Sequence, residues 1–121
     1  MKYWLMKVEP SAYSIDDLER DGTTTWDGVR NKVLFYASSA EPSGVTGLAE
    51  VSRDARPEKD PAWSMVDIRF VRKFPEIVPL ETLKRTRGLE NMVVVKKGTR
   101  LSVQPVTKSE YDIVANLGRG R

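Results

Sequence analysis

The sequence predicts an α+β domain: a small mixed β-barrel flanked by short helices. Three observations carry that expectation. Several segments of strand length are apolar or alternate with period two, and turn residues punctuate them. A few short segments open with helix-capping chemistry and sit between or after the strands. The chain has 121 residues, enough for one domain with one modest core.

The elements follow in order. Residues 3–8, Tyr-Trp-Leu-Met-Lys-Val, are aromatic and apolar, end at Glu9-Pro10 and read as a buried strand. Ser14 is a capping residue, Asp16 and Asp17 place acids in a first turn, and Gly22 closes a short helix over 14–20. Residues 23–26 are β-prone and run into the turn pair Asp27-Gly28. Lys32 to Ala37 reads as a buried strand, 41–44 as a turn, and Val45 to Val51 as the returning strand of a hairpin with a slightly long loop. Asp54 to Pro61 is charged and carries proline, so it is a loop. Trp63 to Val71 alternates with apolar residues on both faces, which predicts a strand covered on both sides. Pro79 to Lys84 reads as a short helix with proline at its first position. Leu101 to Val106 is a last strand. Thr107 then caps a helix from Lys108 to Leu117, with Glu110 completing a capping box and Gly118 as the stop.

Composition narrows the function. There is no histidine and no cysteine, so catalytic zinc, a Ser-His-Asp triad and a Cys-His dyad are excluded. Paired carboxylates or a carboxylate-bound metal would still allow hydrolysis, with Glu9 and Asp27 as the candidates, but no motif has catalytic spacing. Asp16 and Asp17 are adjacent on a helix and do not face each other. Their place in the first turn suits the helix dipole instead. Gly28, Gly44 and Gly47 match no phosphate-binding fingerprint and read as turn residues or points of close backbone approach. A non-enzymatic role without cofactor or metal is the expectation. The net charge of +3 and pI near 9.3 are compatible with a polyanionic partner. The apolar stretch at the start is too short for a signal segment, and no run approaches a membrane span. A cytoplasmic monomer with no membrane partner is therefore expected.

One segment stands apart chemically. Trp26-Asp27-Gly28-Val29-Arg30-Asn31 packs an indole, a carboxylate, a permissive glycine, a guanidinium and an amide into six residues. An extruded base needs an aromatic plane to stack on, donors and acceptors to read its edge, and a cation for the flanking phosphate. The same segment also reads as a core aromatic following a strand, and local chemistry leaves both readings open.

A family resemblance bears on that choice. The segments at 7–10, 26–31, 35–36, 47–51, 63–67 and 100–107 occur in an order that resembles the EVE domain, and the similarity covers essentially the whole chain, 1–121, as a single domain. The resemblance implies a PUA-like fold related to the YTH domain, which grips a methylated adenine in an aromatic cage. It also implies a nucleic-acid partner, DNA or RNA, read at a flipped and modified base such as a modified cytosine. Carried onto this chain, it places Trp26 as the cage aromatic, with Asn31 as a polar partner, while Asp27 beside Trp26 is the acceptor that the local chemistry offers. Lys7, Val8 and Glu9 fall at the first-strand edge of the pocket, and Tyr36 and Ser38 on the second strand. Ser102 falls on the closing strand. Arg30 and Arg100 would meet phosphates. The alternative within the same resemblance is a small RNA-binding PUA-like module acting on tRNA or rRNA without selectivity for a modification. The chain departs from the pattern at Val8, where the family has Ser, and at Ala37, where it has His. It also lacks family segments after Asn31 and after Arg56.

Overall fold

The computed structural model describes residues 3–9, 11, 14–21, 30–38, 42–52, 68–96 and 103–119. They form β1 (Tyr3–Val8), α1 (Ile15–Asp21), β2 (Arg30–Ala37), β3 (Gly44–Ser52), β4 (Ile68–Pro79), α2 (Leu80–Arg85), a 3₁₀ turn (Val93–Val95), β5 (Val103–Val106) and α3 (Lys108–Leu117). The strands make one five-stranded sheet in the order β4-β3-β2-β1-β5. β1 and β2 run parallel, which a crossover connection permits, and all other neighbours are antiparallel. The α+β class is thus observed, but the expected barrel is not closed among the described residues. Closure would require β4 to meet β5, and these two strands form opposite edges of the sheet. Helices cover both faces instead and bury the apolar surface that closure would have buried.

Alternation along the strands builds the two faces. Leu5, Leu34, Tyr36, Val45 and Leu48 pack against Leu83 of α2, the 3₁₀ turn, and Tyr111, Val114 and Ala115 of α3. Trp4, Met6, Val33, Phe35, Ala49 and Val51 face the other way and pack against Ile15 and Leu18 of α1. Strands sandwiched this way must be apolar on both sides, which is why β1 and β2 read as continuous apolar runs rather than as alternating ones. Thr46 forms a bulge in β3, marked by register shifts on both sides of that strand, and its hydroxyl donates to the Phe35 carbonyl at 3.4 Å. Gly47 beside it is a close-approach glycine: a Cβ there would strike the Arg72 carbonyl of β4 and the Ile15 side chain of α1.

Helix ends follow the sequence closely. The Ser14 hydroxyl accepts from the Asp17 amide at 3.1 Å, and the Asp17 carboxylate accepts from the Ser14 amide at 2.8 Å. Thr107 and Glu110 make the predicted capping box at 3.1 and 2.8 Å. α2 starts one residue later than expected, with Pro79 as its cap residue.

Two stretches differ from expectation. β2 begins at Arg30, two residues before the expected start at Lys32, and runs through Asn31. β4 runs on to Pro79, eight residues past the predicted end at Val71, and in its described part it is not covered on both sides. Val71 is 45% exposed, because β4 is an edge strand whose middle carries Arg72 and Lys73 into solvent. Edge position also explains how Pro75, with no N–H to donate, fits within a strand.

Candidate nucleic-acid interface

The carboxyl ends of β1 and β2 gather part of the predicted site. Lys7 pairs with Tyr36 and Val8 with Ala37, and the Ser38 amide donates to the Val8 carbonyl at 2.9 Å, extending the parallel ladder one step. From here β1 leads to α1 and β2 leads to β3. Lys7, Val8 and Ser38 are half-buried there and Glu9 is exposed. Tyr36 is 3% exposed and belongs to the core face with Leu5 and Val45, so it supports this end from beneath and offers no ring face. Burial pushes its phenol pKa up.

Asn31 sits elsewhere. It is 2% exposed, pairs with Val51 across β2 and β3, and lies at the amino end of β2. Tyr36 is five positions further along the strand, about 16 Å at the usual rise per residue. The described structure therefore brings Lys7, Val8, Glu9, Tyr36 and Ser38 together and leaves Asn31 at the other end of the same strand. Trp26, Asp27, Arg100 and Ser102, and the side chain of Arg30, lie outside the described residues.

A second concavity was not foreseen from the sequence. Between α3 and the outer face of β2, β3 and β4 lies an open groove of about 670 Å³. Its walls include Lys32, Val71 and Arg72 from the sheet and Tyr111, Asn116 and Arg119 from α3 and the residues after it. Tyr111 forms the floor. It is 6% exposed, with the Tyr3 ring 5.2 Å away and the Lys32 ammonium 5.8 Å from its ring centre. Burial, with Glu50 and Asp112 nearby, raises its pKa to about 12. The acid on the wall, Asp112, is held by Lys108 at 2.8 Å. Among the described residues neither Arg72 nor Arg119 takes part in an ion pair. By contrast Lys73, next along β4, is tied to Asp16 of α1 at 2.6 Å, and that hydrogen bond holds its ammonium above the ordinary range. Alternation along β4 could not signal the groove, because a register shift opposite Leu48 and Ala49 leaves both Val71 and Arg72 on its wall.

Among the described residues no group of three or more Asp, Glu, His or Cys could hold a metal ion, and no helix is long and apolar enough to cross a membrane.

The family profile described as the EVE domain matches residues 2–117. The chain belongs to the EVE domain family. Human thymocyte nuclear protein 1 is 34% identical to it over an alignment of 165 residues, which covers 95% of the chain and 73% of the human protein. This EVE domain also resembles solved structures. A hypothetical protein from Leishmania major superimposes with a TM-score of 0.79 at 37% identity, covering 98% of this chain and 94% of that one. The structure described as human THYN1 protein in complex with 5-methylcytosine-containing DNA superimposes with a TM-score of 0.74 at 29% identity, covering 100% of this chain and 99% of that one.

Proposed function

We propose that this EVE domain is a non-enzymatic nucleic-acid-binding module on a PUA-like scaffold that accepts a flipped, modified base, with 5-methylcytosine the leading candidate. The observation that carries the reading is the end-to-end similarity to a THYN1 structure described as a complex with 5-methylcytosine DNA. Physical chemistry supports it from the residues. Flipping a base costs a few kcal/mol, and stacking on an indole such as Trp26 returns about 1–3 kcal/mol. A methyl group adds apolar contact inside such a pocket at little cost. Asp27 supplies an edge-reading group beside Trp26. Lys7, Val8, Glu9 and Ser38 supply backbone and side-chain groups at the strand ends, and Ser102 adds a hydroxyl. Arg30 and Arg100 are suited to the flanking phosphates. Val8 and Ala37 each give up a hydrogen-bonding group that the family pattern has, so discrimination here leans on shape and stacking.

The test is a set of titrations by fluorescence anisotropy with short labelled strands that differ at one base: cytosine or 5-methylcytosine, in DNA and in RNA, single-stranded and duplex. Tighter binding of the methylated strand supports the reading. Equal affinity for both bases in every setting defeats it, and equal affinity with preference for RNA turns the assignment to a general RNA-binding module.

A further inference from the structure

We infer that the groove between α3 and β4 is a phosphate-binding channel that holds the sugar–phosphate backbone of a nucleic-acid strand, apart from the strand ends that carry Lys7, Val8 and Ser38. The inference rests on the nucleic-acid reading above and adds a second contact surface to it. Three observations converge on this partner. Lys32, Arg72 and Arg119 present three cations to one concavity, against one wall carboxylate, Asp112, that Lys108 already engages. Among the described residues the two guanidinium groups lack ion-pair partners, whereas neighbouring Lys73 and Arg69 have Asp16 and Glu50. Paired guanidinium forks match phosphate oxygens in geometry and remain charged at any working pH.

The aromatic floor decides what the groove reads. A base-stacking platform needs an exposed ring face. Tyr111 has none: it is 6% exposed, between the Tyr3 ring and the Lys32 ammonium. The volume of about 670 Å³ and the open form admit a chain passing through, and the walls set three cations against one amide, Asn116, that could meet a base edge. Contacts of this kind fix position and raise affinity without conveying sequence.

The experiment uses the full chain, its Arg72→Gln/Arg119→Gln double variant, and Arg87→Gln as a control for loss of surface charge. All three positions are exposed, so the fold should survive. The probes are a labelled strand with 5-methylcytosine, the same strand with cytosine, and a strand of abasic sugars carrying phosphates alone. Affinities are measured between 50 and 200 mM salt. Each phosphate contact on a single strand contributes about −0.7 to the log–log salt slope, so losing two flattens it by about 1.4 and makes the wild-type affinity fall about sevenfold more than that of the variant over this range. The expected result is that flattening with all three probes, an unchanged ratio between methylated and unmethylated strands, and no change with Arg87→Gln. An unchanged slope in the double variant overturns the channel even where base preference is intact. A changed base ratio also overturns it, because the groove would then read bases. Abasic binding that falls in the double variant sustains the channel even where the wild type shows no preference for methylation, so the two readings fail separately.

Discussion

Replacing Gly118 with alanine sets two physical effects against each other, and the structure says which one wins. The backbone at Gly118 has φ −77° and ψ −8°, an ordinary right-handed conformation. On backbone grounds alone, alanine should stabilise the fold by about 0.4–1 kcal/mol, because it restricts the unfolded chain. The packing says otherwise. A Cβ at Gly118 would fall among three ring carbons of Phe74 on β4. Phe74 is 3% exposed and belongs to the cluster that holds Leu83, Tyr111 and Val114, so its ring has little room to retreat. Overpacking a core typically costs about 1–3 kcal/mol. The net expectation is destabilisation by about 1–2 kcal/mol. Urea unfolding followed by circular dichroism measures it, with an unchanged m-value as the control for a two-state comparison. In a Phe74→Leu background the smaller side chain should remove most of the penalty, giving a coupling of about 1 kcal/mol in the double-mutant cycle. A Gly118→Ala variant as stable as the parent, or more stable, would refute the reasoning.

Other perturbations test other parts of the account. Thr107→Ala removes the hydroxyl that caps α3 and should cost about 1 kcal/mol, with faster amide exchange confined to the first turn of that helix. Leu89→Ala should cost about 2–5 kcal/mol although Leu89 lies outside regular secondary structure, since its side chain is fully buried; a loss below 1 kcal/mol in thermal melts would show that the segment is not part of the core. Tyr111, whose folded-state pKa is raised to about 12 from 10, contributes stability that is fully present below pH 10 and is lost as pH climbs through about 12. Tyrosinate absorbance should therefore show a late-titrating group that Tyr111→Phe removes.

What the sequence disclosed and what it hid follow from how local each signal is. The capping box at Thr107 and Glu110 involves residues three apart, so its chemistry is written in the sequence and the helix bounds came out residue for residue. The two apolar faces of β1 and β2 were legible for the same reason. β4 was cut short because Pro75 and the charged residues before it look like a strand end, and only its place at the sheet edge makes them tolerable. Leu89, Met92 and Val94 were missed as core because their spacing fits neither a helix nor a strand. The groove joins Lys32, Arg72 and Arg119 from three distant parts of the chain, and nothing short of the packed sheet places them together. Asn31 reads in the sequence as a partner of Trp26, which lies outside the described residues; the described strand shows that Asn31 and Tyr36, five positions apart, lie towards opposite ends of β2.

The central claim is that the chain holds a modified base against Trp26. Titration of a 5-methylcytosine strand and its unmodified twin against wild type and Trp26→Ala, with urea unfolding of both proteins alongside, tests it most directly. The account predicts tighter binding of the methylated strand by the wild type and loss of that preference in the variant. It also predicts a stability loss in the variant smaller than the roughly 3–5 kcal/mol expected for a fully buried tryptophan. A variant that keeps the preference for the methylated strand would contradict the account.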